Sequence, residues 1–465
     1  MSNRPGTAPF GRAIRARTLP GLCLAAALAA TVGRADTRSR FVVDQLTSHN
    51  AGLSAATRSE KYSLMSASPS AFYRGTAHLY WADLGASPLL APFGGSTTLT
   101  WLQGDAHTEN QGAFDNSAGA VVYDLTDFDE AVIGDYQLDL WRLGASLALV
   151  ARENRVSGAD EDTAIDALAD GYLDALGSFV GNDSERTRVL SADNAYGLLD
   201  EFLGEVVSRD SRKKLLQKYT TVSAGSRTFD LSSSDLEAVP TATAQALRDA
   251  MPGYGATLSG GLRYSGSYFQ VKSVARRLHA GLGSLGRDRY YLLIEGRSTS
   301  TDDDRILDVK AADTPSAYAT LDPAAVRKTQ AASGSDEARR ASLAARALGY
   351  RVDEHTGELA ALGRRFLVRE RSPYKESFDT SQLTSRTRLT KLAEQWGATL
   401  ATAHARADRD SNPAVIPYEF EKEVQTLTGA RKSQFKTRLR SVGKSYADQV
   451  QADFASFTDW LKTHP

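Results

Sequence analysis

Apolar residues follow two rhythms along the chain. Leu140, Leu143, Leu147 and Val150 recur at helical spacing, as do Ile165, Leu168, Tyr172 and Leu176, and far downstream Leu389, Leu392, Trp396, Leu400 and Ala403 mark another one-sided helix. Short runs rich in β-branched and aromatic residues keep the other rhythm. Leu99 to Gln103, which stops at Gly104, Val121 to Leu125, Tyr268 to Val271, Tyr290 to Ile294, Ile306 to Val309 and Phe366 to Val368 each predict a strand. The polar run Ser298 to Arg305 predicts a hairpin loop, and the alanine- and arginine-rich stretch 336–348 predicts a helix. No internal repeat interrupts this order. The expected class is α+β: helical first, a small sheet from about residue 260, then helical again.

With 465 residues, 42% hydrophobic and 24% charged, the chain has the composition of a folded protein with a sizeable core. A net charge of -1 shows no basic excess, so no nucleic-acid partner is expected. The first 35 residues stand apart. Arg4, Arg12, Arg15 and Arg17 precede an uncharged run from Leu19 to Val32, with Gly33 and Ala35 after it, which reads as a signal peptide. That run is too short for a stable membrane span and contains Pro20. Cleavage is expected rather than lipidation at Cys23, because Leu22 is larger than the small residue that precedes a lipid-modified cysteine, so the protein should be periplasmic or secreted. The cleaved chain would carry a charge of about -6 and no cysteine, which excludes disulfides and thiolate chemistry.

Two carboxylate-rich segments follow predicted strands: Gly104-Asp105-Ala106-His107-Thr108-Glu109-Asn110 and Asp124-Leu125-Thr126-Asp127-Phe128-Asp129-Glu130-Ala131. They would lie side by side if those strands pair. Carboxylate and amide oxygens suit Mg²⁺. Asp105 and Asn110 have the five-residue separation with which an Asp orients an attacking hydroxyl and an Asn holds metal, leaving Asp127 as a second metal ligand. Either loop alone reads as a cap or turn. Together, and with Asp139 opening an apolar helix, they point to a site. His107 is open to three readings: ordering the loop, packing, or ligating metal.

A second group lies far downstream. Gly281-Leu282-Gly283-Ser284-Leu285-Gly286 precedes the strand Tyr290 to Ile294, and Lys310 follows on the next strand. In a dinucleotide fingerprint the glycines follow a strand and open a helix, so this order fits a phosphate lid instead, with backbone amides and Lys310 reaching phosphates. Glu337 is the candidate partner for Lys310, against the plainer reading of a solvated glutamate.

These residues resemble the kinase-like superfamily, especially aminoglycoside and choline phosphotransferases, whose catalytic loop is similar to Gly104–Asn110 and whose metal loop is similar to Asp127-Phe128-Asp129. The chain resembles more closely still the bacterial family of domain of unknown function 2252. Phe72-Tyr73-Arg74-Gly75, both acidic loops, Asp139-Leu140-Trp141-Arg142-Leu143, the glycine loop, Val309-Lys310 and Ala403-His404-Ala405-Arg406 all have counterparts there.

The resemblance implies a two-lobed protein-kinase-like fold, circularly permuted, since the catalytic and metal loops precede the glycine loop and Leu400-Ala401-Thr402-Ala403-His404 looks like the helix that normally leads into the catalytic loop. Its parts would be a signal peptide over 1–35, a helical lobe over 36–260, an antiparallel sheet lobe over 261–375, and helices over 376–465 completing the first lobe. It implies an exported phosphotransferase using Mg and ATP or another nucleotide, with an unknown small-molecule or protein acceptor. Asp105 and His107 would be catalytic, Gly281, Gly283, Ser284, Gly286 and Lys310 would bind nucleotide, and Asn110, Asp127 and Asp129 would hold metal. Two alternatives stand beside it: a non-catalytic nucleotide-binding or interaction protein on the same scaffold, and a metal-dependent phosphoesterase opened by Asp105-x-His107.

Overall fold

The computed structural model describes residues 35–258 and 267–464. The expected signal peptide and the 260/261 lobe boundary fall outside the described residues, apart from Ala35, which opens the first helix. The protein is a mixed α+β structure with small antiparallel sheets. Among the described residues, no helix is long and apolar enough to cross a membrane.

The helix Gln137–Glu153 forms the centre of the helical part. Residues 137 through 151 are all buried, as expected for a helix surrounded by partners on every side. Those partners include Gly158–Phe179 and the long final helix Lys432–Leu461, and Arg386–Arg406 packs along Gly158–Phe179. Leu389, Leu392, Trp396, Leu400 and Ala403 are buried together, so the periodicity read from the sequence marks the packed face.

The largest sheet has six antiparallel strands in the order Gly357–Ala361, Arg364–Glu370, Arg305–Ala311, Arg289–Ile294, Val271–Arg277 and Leu236–Glu237. One edge, Leu236–Glu237, therefore comes from before residue 260. Alternation sends Leu307, Val309 and Ala311 into one core with Leu247, Met251 and Tyr254, while Ile306 joins a second core on the other face with Tyr219 and Tyr291. Asp308 and Lys310 share the parity of Ile306 and so stand on that second face. The strand expected at Tyr268–Val271 instead runs Val271–Arg277. Tyr268 and Phe269 lie outside the strand, with Gln270 N–H bonded to Ser267 O at 2.9 Å and the Tyr268 hydroxyl 2.7 Å from His355 Nε2. The true strand is rich in Lys and Arg because most of its residues are only half-buried.

The two strands flanking the acidic loops do not pair with each other. Leu99–Leu102 pairs with Val132–Asp135, and Gln111–Asp115 pairs with Val121–Leu125, which is nested inside it in the sequence. Glu376–Ser377 extends the inner pair. Nesting still brings both acidic loops together, because each connects an outer strand to an inner one at the same junction.

Candidate functional site

Gly104 is the point at which the two loops touch. Its φ of +82° is a left-handed conformation that side chains disfavour, and a Cβ placed there would lie 1.9 Å from the carbonyl oxygen of Glu130. Three groups fix the turn from behind. The buried Asp139 carboxylate accepts the Gln103 N–H at 2.6 Å and the Gly104 N–H at 3.0 Å, while Trp81 Nε1 donates to Gly104 O at 2.9 Å. His404, at the end of the helix Arg386–Arg406, places Nε2 3.3 Å from Asp139 and receives support from the Tyr172 hydroxyl at 2.8 Å. Thr100 Oγ1 donates to the carbonyl of His404 at 2.9 Å, tying that helix end to the strand that leads into the loop.

Past the turn, Asp105 meets Arg142. The guanidinium donates Nε to Asp105 Oδ1 at 2.7 Å and adds a second bond from Nη2. Arg142 is fully buried, stacked over Tyr73 at 4.2 Å, and donates to the Tyr73 carbonyl at 3.2 Å. Burial pushes the Asp105 carboxyl up to about 7, with Arg142 opposing the shift and the carboxylates of Glu130 and Asp127 adding to it. His107 Nδ1 accepts the Glu109 N–H at 3.2 Å, which leaves the proton on Nε2, 3.8 Å from Asp105 Oδ2. Burial holds this imidazole well below its ordinary range, so it is neutral. Asn110 donates Nδ2 to the Asp105 carbonyl at 2.8 Å, a bond that leaves its amide oxygen available.

The second loop faces the sheet. Lys310 Nζ stands 3.4 Å from Asp127 Oδ2 and forms a closer ion pair with Asp129. Asp129 Oδ2 also accepts Arg287 Nη1 at 3.2 Å. Burial disfavours ionised Asp127, but Lys310, Arg369 and Lys375 more than offset it and hold this carboxyl far below the usual range. Glu337 is not the partner of Lys310. It pairs with Arg340 one turn along its own helix, and Arg340 in turn donates to the carbonyls of Ala131 and Asp129, steadying the second loop from outside.

The glycine segment connects Val271–Arg277 to Arg289–Ile294 and arches over the same space. Asp105, His107, Asn110, Asp127, Asp129, Gly281, Gly283, Ser284 and Lys310 all line one cavity of about 330 Å³, at the small end of ligand-binding clefts. Gly286 does not; it borders the smaller neighbouring hollow with Leu285 and Arg287. Arg277, Arg289 and Arg371 make the sheet side of the main cavity basic, opposite the carboxylates, and burial together with the neighbouring arginines holds Lys375 beside them well below the ordinary lysine range.

Arg142, Arg287 and this basic wall were not foreseen as site residues. A signal existed for the first, since Arg142 is an arginine inside an otherwise apolar helical run, three residues after Asp139. Arg287 and Arg289 directly follow the last glycine. Arg371 and Lys375 lie in an irregular segment with no periodicity to place them.

No curated protein and no solved structure matches the chain. The family described as "Uncharacterized protein conserved in bacteria (DUF2252)" matches residues 55–460, spanning every loop and basic group of the cleft, and the chain belongs to that family.

Proposed function

We propose that this cleft belongs to a phosphotransferase of permuted kinase-like build, which takes a magnesium-bound nucleotide and passes its terminal phosphoryl group to a hydroxyl-bearing acceptor. The observation that carries the reading is the approach of Lys310 to Asp127 and Asp129 beneath the glycine segment, joining two stretches 183 residues apart in one cavity. A glycine-containing connection between antiparallel strands, a lysine on the following strand, and a helix end pressed against the Asp105 loop are also what the permuted order requires.

The donor set fits the metal: Asp127 is held ionised, and the Asn110 amide oxygen is left available beside it. Bound magnesium would neutralise charge on the phosphates it touches. Asp129 is engaged by Lys310 and Arg287, which makes it the tether for those two cations rather than a further metal ligand. Lys310 and the basic wall would draw phosphate oxygens to the sheet side. Asp105, poised near neutrality and oriented by Arg142, accepts the acceptor hydroxyl proton as the new P–O bond forms and the bond to the nucleoside diphosphate breaks. His107 keeps the loop in shape, and its engaged Nδ1 lends nothing to a dinuclear phosphoesterase.

The test is thermal unfolding with and without Mg-ATP, alongside mass spectrometry of labelled ATP. At a ligand concentration about 100 times Kd the wild type should gain roughly 2.7 kcal/mol. Asp127→Ala should lose that gain together with turnover. An equal response in both proteins refutes the site, and a lost response without turnover in the wild type leaves binding but removes the transferase.

A further inference from the structure

A second group of carboxylates lies on the far side of the Arg386–Arg406 helix end, away from the cleft, and does not depend on the reading above. Glu185, in the short turn Ser184–Arg186, is 2% exposed, and its Oε2 is buried with no hydrogen-bond donor. Oxygens of Asp183, Glu185 and Asp410 lie within 4.8 Å of one another. Asp408 and Glu421 are also buried and touch each other, and both act electrostatically on Glu185.

Among the described residues, no ion pair involves Glu185, Asp408, Asp410 or Glu421. Asp183 has Arg186 at 3.8 Å on the outside. Arg406 is close but its charge goes elsewhere: it donates to the carbonyls of Glu185 and Arg188 and to the Asp124 carboxylate at 3.0 Å. Burying like charges without a counter-charge is costly, and the cost disappears if a cation belongs there.

We propose that this cluster is a calcium site, with the buried Glu185, the half-buried Asp410 and the exposed Asp183 as its carboxylate ligands and the buried carboxyls of Asp408 and Glu421 beside them. Two separated segments supply the ligand carboxylates, which suits Ca²⁺, with its six to eight oxygens and flexible geometry, better than Mg²⁺, which keeps its waters and takes one or two carboxylates. Asp408, Asp410 and Asn412 have the alternate spacing from which calcium loops draw their first ligands. The loop departs from that pattern at two places. Pro413 stands where such loops have glycine, and Glu419, at the position of the closing glutamate, is paired with Arg409 at 2.5 Å. Glu185 takes over its part. A bound ion would tie the turn at residue 185 to the segment following the Arg386–Arg406 helix, and so hold the helix end that carries His404.

The full chain, freed of metal with a chelator, is titrated with CaCl₂ by calorimetry and then melted. One calcium ion per chain should bind, and the melting temperature should rise by at least about 3 °C at a free calcium near 100 times Kd. Glu185→Gln and Asp410→Asn should each weaken binding by roughly tenfold or more. Each substitution removes a repelling charge, so both variants should melt no lower than the metal-free wild type, which separates a lost ligand from a misfolded chain. Asp127→Ala should bind calcium as the wild type does, placing the ion outside the cleft. Absence of binding, binding unchanged in both carboxamide variants, or an equal rise with MgCl₂ would overturn the proposal.

Discussion

Replacing Gly104 with alanine should damage the protein severely. The new Cβ would sit 1.9 Å from Glu130 O and 2.4 Å from Glu130 C, so the acidic loops must part by roughly 1.5 Å to reach ordinary contact. They are not free to part, because Asp139 holds the Gln103 and Gly104 amides and Trp81 holds the Gly104 carbonyl. A left-handed alanine costs about 1–2 kcal/mol, and losing one bond to a charged acceptor adds about 1.5–3, for a total of about 2.5–5 kcal/mol. Gly119→Ala isolates the first contribution, since that glycine has a φ of +77° but nothing within 4 Å of its would-be Cβ. Urea unfolding at unchanged m-value measures the difference. Gly104→Ala should fall below Gly119→Ala by about 2 kcal/mol or more and lose the Mg-ATP response, which Gly119→Ala keeps. Two midpoints within about 0.5 kcal/mol of each other would refute the argument that the loops are locked against one another.

Asp139→Asn should cost about 2–4 kcal/mol in the same assay, because the amide offers one oxygen where two backbone N–H groups and His404 now converge on a carboxylate. The raised Asp105 pKa gives stability and activity opposite dependences on pH. Between about pH 4 and 7 the folded chain holds a proton on Asp105 that the unfolded chain has lost, so this group makes folding less favourable as pH rises through that window, by up to roughly 1.4 kcal/mol per unit. Asp105→Asn should therefore gain on the wild type between about pH 4 and 7 in urea unfolding. Turnover, which needs the ionised carboxylate, should rise through pH 7 in the wild type; a flat profile in both measurements would contradict the placement of Asp105.

The helices and most strands were legible because each buries a continuous face. The central helix announces itself through Leu140, Leu143, Leu147 and Val150, and the sheet through runs such as Tyr290 to Ile294. What periodicity cannot show is pairing. Leu99–Leu102 and Val121–Leu125 were both identifiable as strands, yet the nesting of one hairpin inside another is decided by Gln111–Asp115 and Val132–Asp135, whose Gly and Asp residues carry no strand signature. The strand at residue 271 was misplaced for a related reason: its long basic side chains leave it half-buried, while the aromatic pair before it packs from a turn. Carboxylates and glycines were found because few residues can replace them in such loops. Their cationic partners Arg142 and Arg287 went unremarked because surface and buried arginines look the same in a sequence, and only the folded chain distinguishes those with buried work to do.

The tie between Thr100 and the carbonyl of His404 spans 304 residues, which has a consequence for how the protein is made. At roughly 5–20 residues per second, the segment around Gly104 leaves the ribosome about 15 to 60 s before the helix that will brace it exists. Throughout that interval the nascent chain carries a run of acidic side chains whose scaffold is unfinished. Completion of the cleft is thus a late event in biosynthesis, gated by synthesis of the C-terminal quarter.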